Sequence, residues 1–136
     1  MTSHNLSHPW AVPNPPKDPS MWDPEEHYSR QQIQDLQYER LRWTLHHAYN
    51  NVPAYRQLYD DHGVHPNDFT SLNDITLFPY IDKEFLRANY PLKALAVPMQ
   101  DIRRIHASSG TTGQPTVVAY TANDLKMWAS LVARSF

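Results

Sequence analysis

Glycine is scarce in this chain of 136 residues, with 3 copies, and two of them fall in one run: Ser108-Ser109-Gly110-Thr111-Thr112-Gly113-Gln114-Pro115-Thr116. Few positions can therefore adopt backbone conformations closed to other residues, and this run is where a tight loop is concentrated. Gly110 and Gly113 allow a ligand close to the main chain, and successive N–H groups can turn toward one point. The hydroxyls of Ser109, Thr111 and Thr112 add donors that can follow it, and Pro115 stiffens the exit. Such a concavity suits a phosphate group.

The flanks place the loop between strands. Ile102-Arg103-Arg104-Ile105-His106-Ala107 partly alternates apolar and polar residues, as a half-buried strand does. Pro115-Thr116-Val117-Val118-Ala119-Tyr120 is rich in β-branched residues and predicts a second strand. A Walker loop would need two glycines separated by four residues, then lysine, then a helix. Here the second glycine follows after two residues with no lysine behind it, so that class is excluded.

The rest of the chain predicts mostly helix. Residues 1–22 are rich in Pro, Ser, His and Asn without periodicity and read as an extended arm. Asp23-Pro24-Glu25-Glu26 carries a cap, a proline suited to the first turn and acidic residues at the positive dipole end. It predicts a helix to about Asn50, with Ile33, Gln37, Leu41, Leu45 and Ala48 along one side. Leu36 and Trp43 widen that stripe, and Pro53 ends it. A second helix is expected over 54–62 with Gly63 as a left-handed stop. A helical turn over 71–77 and a helix over 83–89 capped by Asp82 follow, the latter closed by Pro91. Thr121-Ala122-Asn123-Asp124 resembles a capping box with Asp for Glu. The helix it opens carries Leu125, Trp128, Leu131 and Val132 on one face and reaches Phe136 with no stop signal, so the fold is expected to continue past that residue.

Composition narrows the classes. The length is that of one ordinary domain, and a mean hydropathy of −0.66 gives a generous exterior for the core. A net charge of −2 with scattered basic residues argues against a nucleic-acid surface. With no cysteine, disulfides, thiolate metal sites and cysteine nucleophiles are excluded. No basic, apolar leader is visible and no apolar run reaches the ~18–20 residues that span a bilayer, so a cytoplasmic location without membrane contact is expected.

Histidine is abundant, with 8 copies, but badly spaced for a metal. His62 and His65 flank a glycine, His46 and His47 point apart, and His4 and His8 lie in the arm. No metal-ligating residue is assigned. His106 precedes the serine pair and reads as a strand histidine satisfied by hydrogen bonds. Arg103 and Arg104 cannot both face the loop, and solvation or a surface ion pair is expected for at least one. Trp43, Trp128 and the tyrosines read as core or interface.

A Ser-Gly-Thr-Thr-Gly-x-Pro loop between strands resembles the phosphate loop of the adenylate-forming enzymes: acyl-CoA synthetases, luciferases and peptide-synthetase adenylation domains. The wider run from Arg104 to Val118 narrows the likeness to the phenylacetate–CoA ligases. Asn51-Val52-Pro53-Ala54-Tyr55-Arg56, Gly63-Val64-His65-Pro66, Phe78-Pro79 and Leu86-Arg87-Ala88-Asn89-Tyr90-Pro91-Leu92 do the same. The likeness runs from about Tyr38 to the end. One departure is Gln114, where many relatives carry lysine; it keeps a donor and loses the charge. Thr116 matches the family.

The resemblance implies an α/β fold, in which residues 23–136 are the N-terminal portion of the large adenylation domain and helices lead into a sheet carrying the phosphate loop. It implies an AMP-forming aryl acid–CoA ligase, with phenylacetate as substrate, acting in aromatic breakdown. ATP, Mg2+ and CoA are the implied cofactors. Ser108, Ser109, Gly110, Thr111, Thr112, Gly113 and Gln114 would contact ATP, with the Thr112 hydroxyl nearest the metal; Ser108 reads equally as the residue that ends the strand. The family's later motifs are absent, so catalytic residues are expected beyond Phe136 and the segment alone should not turn over. Residues 51–56 and 83–92 read as scaffold packing the helices onto the sheet. Three alternatives stay open: a ligase for another aryl acid, a non-catalytic nucleotide-binding remnant, and a helical interaction module using residues 23–50. Oligomeric state is not legible.

Overall fold

The long helix begins later than Asp23. The structure, a computed structural model, describes residues 24–108, 113, 115–133 and 135, so the arm and Asp23 lie outside the described residues. Pro24–His27 forms only a 3-10 turn, and helix α1 spans Arg30–Asn51. Ser29 caps it reciprocally: its Oγ accepts from Gln32 N at 3.3 Å, and its own N donates to Gln32 Oε1 at 2.9 Å. That box satisfies two donors that a helix start otherwise leaves orphaned, which is why it wins over the proline further upstream.

The end of α1 obeys the sequence rule. Val52 is extended (φ −119°, ψ 104°), as a residue before proline must be, and Pro53 opens helix α2 (Pro53–Asp61). Gly63 has φ +64° and turns the chain after α2. Arg56 secures the corner: its Nε donates to the Tyr49 carbonyl at 3.1 Å and its Nη2 to the Asn50 carbonyl at 3.0 Å. These carbonyls belong to the last turn of α1, where partial negative charge collects. Arg56→Ala should lower stability by about 1 kcal/mol, seen as a smaller urea midpoint with unchanged slope.

Burial on α1 follows Tyr38, Leu41, Leu45 and Tyr49, and Gln37 is exposed. The core beneath them is Leu45, Tyr59, Val64, Phe69 and Phe78, with Tyr55, Leu58 and Leu72 packed against it. Its centre is aromatic: Phe69 stacks on Tyr38 with centroids 5.3 Å apart, and Phe78 meets the Tyr59 ring edge-on at 5.2 Å. Between these rings the chain makes 3-10 turns at Pro66–Asp68 and Leu72–Leu77. Asp74 Oδ2 anchors the second, accepting from Thr70 N and Oγ1 at 2.9 Å each and from Ser71 N at 2.7 Å.

His46 gives this layer a pH dependence. Its imidazole is half-buried, and burial first, then Arg42 and His65, holds its pKa below the ordinary 6.5. The unfolded chain thus binds a proton that the folded one resists. Stability should be full above pH 6.5 and fall as the pH drops through that value toward the folded pKa. Hydrogen bonds from Thr70, then Ser71, hold Asp74 below the usual 3.8, which extends the loss into the carboxylate range. Melting points of wild type and His46→Gln between pH 8 and 5 check this; the variant should give the flatter curve.

Helix α3 (Lys83–Ala88) starts at Asp82, whose Oδ1 accepts from Phe85 N at 2.9 Å. Phe85 returns to the helical layer against Tyr55, with centroids 5.0 Å apart. Strand β1 (Ile102–Ala107) then pairs antiparallel with β2 (Val117–Thr121), and helix α4 (Ala122–Ala133) follows. At its head Thr121 and Asp124 cap each other: Asp124 N donates to Thr121 Oγ1 at 3.2 Å and Thr121 N to Asp124 Oδ2 at 2.7 Å. The expected apolar face of α4 does not enter a core among the described residues: Trp128, Leu131 and Val132 are 43%, 56% and 45% exposed. No helix among the described residues is long and apolar enough to cross a membrane.

Candidate functional site

The hairpin register aims the glycine-bearing loop. Ala107 faces Val117, His106 faces Val118, Ile105 faces Ala119 and Arg104 faces Tyr120, with an irregularity between Ile102 and Arg104. The same register continues to Ser108 opposite Thr116, where Ser108 N donates to the Thr116 carbonyl at 2.9 Å. Thr116 N in turn donates to Ser108 Oγ at 2.9 Å. The loop thus leaves and re-enters the sheet at one residue pair.

Of the seven residues expected to contact ATP, Ser108 and Gly113 are described; Ser109, Gly110, Thr111, Thr112 and Gln114 lie outside the described residues. Gly113 is exposed with φ +142°, a value that L side chains rarely adopt, and nothing lies within 4 Å of where its Cβ would be. Its glycine is thus required by backbone conformation and not by crowding. Ser108 sits at the strand end. Sequence reasoning left Thr116 out of the site, although it supplies both backbone groups that close the loop. The available signal was a polar residue where β2 begins.

The two neighbouring arginines have different settings. Arg103 lies at the register irregularity and donates from Nη1 to the Gln100 carbonyl at 2.8 Å, back toward the Met99–Asp101 turn. Arg104 stays in register beside Tyr120 and is exposed. His106 packs edge-on against Tyr120 and Trp128, with centroids 5.1 and 5.6 Å away, so its setting is aromatic.

Residues 51–56 turn α1 into α2 and Phe85 packs on Tyr55, so both segments join the helical layer, but that layer does not close fully onto the sheet. A cleft of about 620 Å³ separates them, walled by Trp43, His47 and Tyr55 on the helical side, Leu92 between, and Ile102 and Val117 on the strands. The Trp43 and His47 rings stack with centroids 4.4 Å apart. His65 instead turns its Nδ1 to accept from Asn67 N at 3.1 Å. Among the described residues, no group of three or more His, Asp or Glu side chains could hold a metal.

No protein-family model matches the chain. Individual relatives do. It is 58% identical over 113 residues to the phenylacetate–coenzyme A ligase of Escherichia coli strain K12, covering 83% of this chain and 26% of that protein. The phenylacetate–coenzyme A ligase of Pseudomonas putida is 52% identical over 118 residues, 87% of this chain and 27% of that protein. Among solved structures, the fold matches 2-hydroxyisobutyryl-CoA ligase in complex with 2-HIB-AMP and CoA in the thioesterification state. That match has a TM-score of 0.77 at 27% identity and covers 96% of this chain and 28% of that one. An open conformation of the same ligase, with the same two ligands, matches with a TM-score of 0.76 at 25% identity, over 96% of this chain and 30% of that one. The chain spans about a quarter of the length of these curated relatives. Over most of its length the chain is thus homologous to proteins named phenylacetate–coenzyme A ligase, and its fold is that of a segment of an adenylate-forming CoA ligase.

Proposed function

We propose that this chain supplies the ATP phosphate loop of an AMP-forming ligase that converts an aryl acid, phenylacetate, to its CoA thioester. The observation that carries the reading is 58% identity to a phenylacetate–coenzyme A ligase across a segment that folds like a ligase holding an acyl-AMP and CoA. In the first half-reaction a carboxylate oxygen attacks the α-phosphorus of ATP and pyrophosphate leaves. In the second, the CoA sulfur attacks the acyl carbon and AMP leaves. The loop's contribution is electrostatic: donors fixed in advance around the β- and γ-phosphates stabilise charge as it moves onto the leaving pyrophosphate. Ser109, Thr111 and Thr112 are assigned as those donors, and Gly110 and Gly113 as the residues that let the backbone form the cradle.

Magnesium accompanies ATP in this reading. The described residues do not fit a metal site of their own, and the Thr112 hydroxyl is the one group assigned near the metal. Cytoplasmic location and a role in phenylacetate breakdown belong to the same proposal. In the protein isolated from its own cells, phenylacetate should drive pyrophosphate release from ATP, and CoA should then yield phenylacetyl-CoA and AMP. Activity with a different aryl acid and none with phenylacetate would change the substrate. ATP binding without pyrophosphate release on any aryl acid would leave a nucleotide-binding remnant.

A further inference from the structure

Strand β2 meets open space edge-on. Neighbouring residues of a strand point to opposite faces, so a cavity lying on one face is lined by alternate residues. The cleft beside the helical layer is lined instead by the consecutive residues Val117, Val118 and Ala119, and then by Thr121. Among the described residues β1 contributes only Ile102 to it. A second cavity, of about 430 Å³, meets the same strand at Ala119 and Tyr120, beside Trp128 and Leu131 of α4. Both therefore open on the outer edge of β2, away from β1.

The register shows what that edge offers. Ser108 N donates to the Thr116 carbonyl, so these two form a hydrogen-bonded pair, and alternation puts His106–Val118 and Arg104–Tyr120 in the same class. The backbone groups of Val117 and Ala119 accordingly point away from β1. Among the described residues the sheet has two strands, so no third strand takes up those groups. Open edges are commonly blunted by charge or proline. On β1, Arg103 turns its Nη1 onto the Gln100 carbonyl at 2.8 Å and the Ile102 carbonyl at 3.4 Å. Val117-Val118-Ala119-Tyr120-Thr121 carries neither charge nor proline, and a two-stranded hairpin has little stability of its own in water.

We propose that the outer edge of β2 is a docking site for a third strand, an extended apolar segment from the part of the ligase fold that this chain does not span. The occupant follows from length and chemistry. About three quarters of each curated relative lies outside the matched region, and the chain covers 28% of the solved ligase whose fold it shares. Outward N–H and C=O groups take up another backbone in extended form, and the walls facing them are apolar, with Leu92, Val97 and Met127 among them. Seated there, the strand bonds the Val117 and Ala119 backbone and covers Trp128 and Leu131, which α4 leaves exposed. This rests on the likeness to longer ligases and not on phosphate binding by the loop.

The test co-expresses the tagged chain of 136 residues with the part of the Escherichia coli ligase that lies outside the matched region. Capture on the tag and amide hydrogen exchange are the readouts, and neither depends on ATP. The chain should capture that part. The Val117 and Ala119 amides should exchange fast in the chain alone and about 10-fold or more slower in the complex, as amides that gain a hydrogen bond do. Val118 and Tyr120, bonded inward, should be protected in both. Ala119→Pro removes an outward N–H and Ala119→Lys sets a charge against the incoming strand, so each should cut capture about 10-fold or more. Unchanged Val118 exchange shows that the hairpin persists in a variant; should the proline variant lose it, the lysine variant decides. No capture, or capture with Val117 and Ala119 still exchanging fast, would overturn the docking site. Slow exchange of both in the dilute chain alone would also overturn it, the edge then being covered from within the chain. Slowing that appears only as the chain is concentrated would give the edge to a second copy instead.

Discussion

Gly110→Val in the protein as its cells make it should abolish ATP-dependent pyrophosphate release, a loss of about 100-fold or more in ATP affinity or turnover, while the fold survives. Under the phosphate-loop proposal, a β-branched side chain restricts the backbone of a residue assigned to the cradle and competes with the phosphate for space. Losing one preorganised donor to developing negative charge typically costs ~10²–10³ in rate, and a deformed cradle loses several. The fold should be spared because the buried core lies in the helical layer, at Leu45, Tyr59, Val64, Phe69 and Phe78, away from the loop. Gly113 supports the same logic: at φ +142° with open space around the missing Cβ, it is held as glycine by conformation alone. ATP binding by isothermal titration, beside an unfolding curve, checks both halves. Full ATP affinity in the valine variant would remove phosphate binding from this loop.

Phe69→Ala should do the opposite, costing about 3–5 kcal/mol of stability. Phe69 is 2% exposed, stacks on Tyr38 and meets Phe78 at 6.3 Å, so it holds α1 to the turns that follow α2. Truncating it leaves a cavity walled by rigid rings that cannot collapse into it. A loss of that size is a large share of the ~5–15 kcal/mol that holds an ordinary domain together. Urea unfolding followed by far-UV circular dichroism should show the midpoint fall sharply, with Phe69→Leu retaining more than Phe69→Ala. A change below ~1 kcal/mol would mean the aromatic cluster is not the core of this layer.

Much of the local architecture was legible because it depends on neighbours in sequence. Proline after Val52, glycine after His62, the Asp82 cap and the Thr121–Asp124 box each act within four residues, and each appears where the chain spells it. The start of α1 was missed because two local signals competed. Pro24 with its acidic followers sustained only a 3-10 turn, and the Ser29–Gln32 box, five residues on, took the helix. Gln37 was assigned to the buried stripe by spacing, yet Tyr38 took that place because Phe69 offered it a stacking partner. Arg56 was recognised as part of a family-like run with no evident role. Its work, bonding the last carbonyls of α1, depends on the angle between two helices, which no spacing rule contains.

The sequence by itself determined where the chain can turn and most of its helices and strands, and it placed two of the three glycines in one loop between strands. Those properties follow from φ restrictions, caps and side-chain shape over a few residues. Tertiary structure alone decided that Ser108 and Thr116 meet, that Arg103 turns back to Gln100, and that a cleft separates the helices from the strands. Each depends on strand register or on packing between elements distant in sequence, where one side chain's position is set by surfaces that no local pattern encodes.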